Sequence, residues 1–312
     1  MQLPPDLTNA IARLLDGVSR KDLAAASARM SAGYRRGATS QAIASERDAL
    51  AYACARMPAT YAVCAAVFAG IGEVMADFAP ASLLDVGAGT GAASWAAVAA
   101  WPDMAVTMLD RNPALRALAR KLADAGALVG AEILSGDLAS AKPKADLVVA
   151  SYVLAELPVD RAEVAAADLW QSADVALVLI EPGTPEGFAR IRAARAALIA
   201  AGAHAAAPCT HDHTCPIVGE DWCHFSQRLP RSRDHMLLKE ARVPFEDERY
   251  SYVVVTREKV SSGARILAPP LETKPGMTFK LCDDKGLQAQ FVASRDKDEY
   301  RRLRKRGWGD LL

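Results

Sequence analysis

From Ser82 to about Arg257 the chain alternates short apolar runs with helical stretches, and this constrains its fold more than any other feature. The runs SLLDVG, AVTMLD, AEILSGD, ADLVVAS and VALVLIEP have the length and apolar content of buried strands. NPALRALARKLADAG and PEGFARIRAARAALIAAG read as helices between and after them. Such alternation predicts an α/β, Rossmann-like fold, a parallel sheet with helices on both faces. HAAAP and RYSYVVVTRE bring the expected strands to seven, with a Cys/His-rich insertion over 204–245 ahead of the last strand.

Outside this region the pattern changes. Residues 1–80 show helices without strands and form an expected N-terminal helical domain. Leu7, Ile11, Leu14 and Leu15 lie on one apolar face, a second helix covers Arg20 to Ala32, and RMPATYAVCAAVFAGIGEVMADF opens another, with Pro58 at an early helical position. The α/β domain spans 81–260. Residues 261–312 form a C-terminal appendage that carries Cys282 and a basic tail with Arg301, Arg302, Arg304, Lys305 and Arg306.

LLDVGAGTGAASWAA sets Gly87, Gly89 and Gly91 between a buried strand and a helix. Glycine lets backbone approach a ligand closely, and the helix start offers unpaired N–H groups. The spacing G-x-G-x-G departs from the G-x-G-x-x-G dinucleotide pattern, which disfavours a pyrophosphate guest. Asp85, at the end of that strand, can reach a ligand amino group or hold the loop. Asp110 ends the next strand and can accept both hydroxyls of a ribose. Asp137, after the third strand, is placed to meet an adenine amino group, with Leu138 beside the ring. The bland alternatives are a helix cap for Asp110 and a turn for Asp137. In order and position these residues resemble the cofactor site of class I S-adenosylmethionine-dependent methyltransferases, over roughly Ser82 to Arg257. Ser151, Tyr152 and Glu156 follow the fourth strand, where such enzymes face their acceptor, and Ser151 is grouped with the cofactor-binding residues. No general base or acceptor motif is legible.

All five histidines fall between His204 and His235, and three of six cysteines lie among them. Cys209, Cys215 and Cys223 have five and seven residues between them, and 58 more precede Cys282. Paired C-x-x-C knuckles are absent. Spacing alone leaves open zinc on cysteine with His211, His213 or His224, and an iron–sulfur cluster on four cysteines. Cys54 and Cys64 sit in Ala-rich helical sequence and are expected to be small core residues.

The 37 basic and 37 acidic residues balance, so the molecule as a whole lacks the field of a generic nucleic-acid binder. The basic tail and Arg228, Arg231 and Arg233 are local exceptions suited to RNA phosphate. The N-terminus shows neither a secretory nor a transit pattern, and no apolar run approaches the roughly 20 residues that span a bilayer. A cytoplasmic protein, free of membrane, is the expectation.

RMPATY, LLDVGAGTGAASWAA, IEPGTPEGF, APCTHDHTCPI, DWCHFSQRLPRS, PFEDERYSYV and the closing WGD together resemble one family along most of the chain. It is the methyltransferase-like family of mitochondrial small-ribosomal-subunit assembly factors and their bacterial relatives. The resemblance implies a seven-stranded methyltransferase sheet, a retained S-adenosylmethionine pocket, and a 4Fe–4S cluster on Cys209, Cys215, Cys223 and Cys282, with zinc as the alternative. It also implies small-subunit ribosomal RNA and ribosomal proteins as partners of a chain monomeric off the ribosome. Two functions follow as expectations: a methyltransferase enzyme, or a non-catalytic RNA-binding assembly factor.

Overall fold

A computed structural model describes residues 1–34, 39–260 and 263–312. Four helices open the chain: α1 (Pro5–Leu14), α2 (Arg20–Tyr34), α3 (Glu46–Ala55) and α4 (Met57–Val74). Pro5 starts α1 and Pro58 lies in the first turn of α4, where a missing N–H costs nothing. The α/β region follows as β1 (Ser82–Val86), α5 (Ala92–Ala100), β2 (Ala105–Asp110), α6 (Pro113–Ala123), β3 (Glu132–Ser135), β4 (Ala145–Ser151), α7 (Ala162–Ser172), β5 (Ala173–Pro182), α8 (Pro185–Ala200) and β6 (His204–Ala207). Then come β7 (Phe225–Pro230), α9 (Arg233–Leu238) and β8 (Phe245–Thr256).

The strand order is β3-β2-β1-β4-β5-β8-β6, with β7 also paired to β8. Strands β1 to β5 pair in parallel, whereas β8 runs antiparallel to β5, β6 and β7. The sheet is α/β and Rossmann-like, mostly parallel with a reversed strand near one edge. It holds eight strands among the described residues rather than the expected seven, because part of the Cys/His-rich insertion forms β7. The order turns outward on either side of β1 and β4, the switch point beside which ligands bind in open α/β sheets.

Adjacent residues on a strand serve opposite faces. Leu83 packs with the N-terminal helices, α5 and α6, and Leu84 packs with α7 and α8. The boundary expected near residue 80 therefore lies inside one continuous core, which joins Leu7, Leu23, Phe68 and Ile71 to Trp95 and Val178. Among the described residues, α4 is long and apolar enough by composition to cross a membrane, contrary to the sequence expectation. Here Val63, Cys64, Val67, Phe68 and Ile71 are buried inside the protein.

Residues 263–312 build a second, antiparallel sheet from β9 (Arg265–Ile266), β10 (Leu271–Thr273), β11 (Gly276–Asp283) and β12 (Gly286–Ala293), followed by α10 (Lys297–Leu303). Met277, Phe279 and Leu281 alternate inward to a small core with Ile266, Val292 and Leu303. The chain end lies along β9, with reciprocal backbone bonds between Ala264 and Leu312 and a Gly309 N–H to the Ile266 carbonyl.

Candidate functional site

A cavity of about 1040 Å³ opens at the carboxyl ends of β1, β2, β3 and β4, lined by Gly87, Gly89, Asp110, Asp137, Leu138 and Ser151. The loop after β1 is held from behind. The N–H groups of Gly87 and Ala88 both donate to the Leu109 carbonyl. Gly87 has φ +69°, and a Cβ there would lie 2.4 Å from Val153 Cγ2, so only glycine fits. Gly89 has open space where its side chain would be, on the cavity side.

Asp110 is nearly buried. One oxygen accepts the Gly89 N–H at 2.8 Å and the other the Asn112 N–H at 2.7 Å. Burial raises its pKa, and those two backbone donors oppose the rise. Each oxygen keeps a second lone pair for a ligand hydroxyl. The helix-cap role falls to Asn112, which accepts from Ala114 and Leu115 at the start of α6.

Two predicted residues serve the loop from outside the cavity. Asp85 is fully buried, accepts the N–H and hydroxyl of Ser94, and is raised by burial to about 6. Gly91, at φ +85°, is the N-cap of α5 and has no side chain to cap with, so Asp85 supplies the carboxylate from the neighbouring strand. Asp137 lines the cavity, yet one oxygen closes its own turn on Ala139 and Ser140, and these bonds lower its pKa. Ser151 lies at the mouth of β4 with its hydroxyl against the Cys64 thiol.

Glu156, expected on the acceptor side, lines the cavity and is also a tie. It accepts the Ser40 N–H at 2.8 Å and pairs with Arg111 at 2.7 Å. Asn112 donates to the carbonyls of Ser40 and Ile43, fastening the same segment. Tyr152, at φ +60°, points its hydroxyl toward Glu248 at 3.5 Å.

The second cavity, of about 30 Å³, is lined by Cys209, Cys215, Cys223 and Cys282 together with Arg195 and His211. Strands β6 and β7 dock on one edge of β8, and the 208–224 loop between them carries three of the cysteines. Cys282 comes from β11, where it faces away from the core side chains Phe279 and Leu281. Arg265, from β9, ties the parts together by donating to the carbonyls of Pro208 at 3.2 Å and Gly309 at 2.8 Å. Burial first, and then the neighbouring cysteines, push the Cys223 thiol well up and the Cys282 thiol to about 12.

Of the histidines weighed as ligands, only His211 lines this cavity. His213 stacks on His211, and His224 stacks on Trp222 and meets Trp308 edge-on. His204 bonds Asp212 and buried His235 bonds Glu246. Cys54 and Cys64 are buried helix residues away from the cavity. Among the described residues no three His, Cys, Asp or Glu side chains come close enough to hold a single metal ion.

Sequence reasoning passed over Glu181, Arg190 and Arg195. Glu181 is fully buried and raised by desolvation to about 8, with the backbone N–H groups of Ala155 and Leu154 against it. Its signal was a carboxylate in the otherwise apolar run VALVLIEP. Arg190 donates twice to the Leu157 carbonyl. The two arginines lie within an Ala-rich helix whose pattern does not mark them as buried.

The chain matches the family model described as "Mitochondrial small ribosomal subunit Rsm22" over residues 46–312. It is 31% identical over 289 residues to the human "Ribosome assembly protein METTL17, mitochondrial", covering 84% of this chain and 62% of that protein. It is 29% identical over 325 residues to the Schizosaccharomyces pombe "Rsm22-cox11 tandem protein 2, mitochondrial", covering 84% of this chain and 43% of that one. The chain thus spans less than two thirds of these relatives' lengths. Among solved structures, magnesium protoporphyrin IX methyltransferase from Synechocystis PCC 6803 with bound SAM aligns over 82% of this chain and 98% of its own, at 17% identity and TM-score 0.44. Precorrin-6y C5,15-methyltransferase from Geobacter metallireducens aligns over 61% and 87%, at 15% identity and TM-score 0.40. The expectation of a cytoplasmic protein is overturned, because the matching family and these curated relatives are mitochondrial. Composition of a folded domain carries no address; location is read from targeting segments by receptors.

Proposed function

This chain belongs to the Rsm22 family, and on that premise we propose that it is an S-adenosylmethionine-binding assembly factor of the small ribosomal subunit, with an iron–sulfur centre on Cys209, Cys215, Cys223 and Cys282. The carrying observation is that a loop and a strand of a separate sheet deliver four cysteines to one cavity. A single zinc ion needs its ligands within about 2.3 Å of one point, and no group among the described residues is that tight. A four-iron cluster takes a thiolate at each iron, and four cysteines line this cavity. Once bound, it would cross-link the 208–224 loop to β11 and make that join redox-sensitive.

The cofactor residues suit S-adenosylmethionine in the same way. Asp110 would accept the ribose hydroxyls, Leu138 would flank the adenine, and Asp137 has one oxygen left for the ring's amino group. The bound cofactor would supply an electrophilic methyl group. Small-subunit ribosomal RNA and ribosomal proteins are the proposed partners. The exposed Arg301 and Arg302 of α10, paired only loosely within their own helix, suit RNA phosphate.

Methyl transfer is a second reading, favoured by one observation. The cavity of about 1040 Å³ reaches the top of the usual range for small-molecule pockets and has room beyond the cofactor toward Arg56, Thr60 and Lys239. Deleting the gene in its native host tests the first reading: incomplete small subunits should accumulate in sedimentation profiles. Normal subunit profiles would overturn it. Labelled methyl donor offered to the subunits from that strain decides the second.

A further inference from the structure

Two side chains beside the cysteines are more than packing. Arg195 of α8 is 4% exposed, and its guanidinium donates to the carbonyls of His211 and His213, the latter at 2.9 Å. It thereby sets the course of the loop between Cys209 and Cys215 and holds a fixed positive charge against Cys209. His211, also 4% exposed, places Nε2 3.6 Å from Cys282 Sγ, across 71 residues of sequence. A thiolate has no proton to give, so in a loaded centre this contact requires the Nε2–H tautomer, with the ring as donor. Buried charge is costly unless compensated, and a four-thiolate iron–sulfur centre carries net negative charge. Among the described residues Arg195 and Arg192 line the cavity, and Arg265 and Lys280 add positive charge near Cys209 and Cys223. Of these, Arg195 is the one that also bonds the cysteine loop.

Resting on the iron–sulfur reading above, we propose that Arg195 and His211 are positioning residues of the four-cysteine centre that raise its reduction potential, Arg195 through its charge and His211 through an N–H to the Cys282 sulfur. One-electron reduction by an external donor, dithionite in the test, adds a negative charge to the centre and breaks no bond. The donor is oxidised in the same step. Positive charge and N–H donors stabilise the more negative state more, which moves the couple upward. Outer residues of this kind are also what orient metal-binding side chains.

The test uses the full chain purified without oxygen. Iron and sulfide are counted per chain, and the midpoint is read by redox titration followed by electron paramagnetic resonance of the reduced centre. His211→Leu should retain iron and show a roughly threefold to tenfold fall in the reduced-to-oxidised ratio at fixed potential, a hydrogen bond's worth. His211→Gln, whose amide N–H can reach the same sulfur, should recover most of it. Arg195→Gln removes the charge, and its shorter side chain also gives up bonds to the two carbonyls, so it is read beside Arg195→Lys, which keeps the charge. The Gln midpoint should fall independently of the His211 result, and the Lys midpoint should stay near wild type. Iron-replete His211→Leu and Arg195→Gln proteins with unchanged midpoints and spectra overturn the inference and leave the cluster standing. A wild-type protein free of iron overturns the cluster reading, and the inference goes with it.

Discussion

Glu156 accepts the Ser40 backbone N–H at 2.8 Å across 116 residues, and its second oxygen holds Arg111 at 2.7 Å. The turn after β4 is thereby fastened to the N-terminal segment at the rim of the cavity proposed to hold the cofactor. Glu156→Ala should free residues 39–45 to exchange amide hydrogen faster and weaken cofactor binding several-fold, a loss of about 1 kcal/mol for a partly exposed pair. Unchanged exchange in that segment would show that the tie carries no weight.

Asp110→Ala removes the proposed ribose acceptor and one anchor of the Gly89 loop. Calorimetry with S-adenosylmethionine should register a loss on the order of 1.5–3 kcal/mol, or about tenfold to a hundredfold in affinity. Equal heats for variant and wild type would remove Asp110 from the site.

Gly87→Ala faces two separate penalties, the positive φ and the Val153 methyl 2.4 Å from the new Cβ. Thermal melting should fall by an amount equivalent to about 1–3 kcal/mol. Adding Val153→Ala should relieve the collision and leave the backbone strain, so the double variant should recover only part of the loss. Full recovery would mean that strain contributes nothing.

Cys282→Ser should lose bound iron and loosen the 208–224 loop, because one strand of the appended sheet no longer reaches the shared cavity. Cys223→Ser should do the same and destabilise residues 204–245. Cys54→Ser is the control: Cys54 lies in the helical core, and its replacement should leave iron content at the wild-type level. Iron retained by both ligand variants contradicts the ligand set.

Glu181 gives a pH dependence whose sign follows from burial. Its carboxyl is raised from an ordinary 4.5 to about 8, so the folded protein holds the proton after the unfolded chain has released it. Stability from this group is therefore full below about pH 4.5 and is lost as pH climbs toward 8. Glu181→Gln, neutral throughout and nearly the same in shape, should melt increasingly above wild type between pH 5 and 8. The gap should reach a few kcal/mol at most. Parallel melting curves across that range would place the carboxyl in a wetter site than its burial indicates.

The five strands from SLLDVG to VALVLIEP and the order of their helices were legible because buried parallel strands are continuous apolar runs, and that pattern is local. That Gly87, Gly89, Asp110, Asp137, Leu138 and Ser151 would gather at one cavity was legible for a related reason. In a parallel sheet the strand ends fall on one edge, so chain position implies spatial position. The tie from Glu156 to Ser40 was not legible, because Ser40 lies in a segment whose docking has no periodic signature. Asp85 and Gly91 were grouped with the ligand residues, although one caps a helix that the other cannot cap.

What the sequence determined alone is the α/β sheet, the loop after β1, and the presence of four cysteines able to bind a soft metal. Those features depend on neighbours a few residues apart or on residue chemistry. Spacing left the partner of Cys209, Cys215 and Cys223 open, and only the family resemblance named Cys282. Tertiary structure alone decided that His211 is the histidine beside them and that Arg195 lines the same cavity. Each of those contacts closes a loop of tens of residues, and it forms only because β6, β7 and β11 are brought to one place by cores that no single segment encodes.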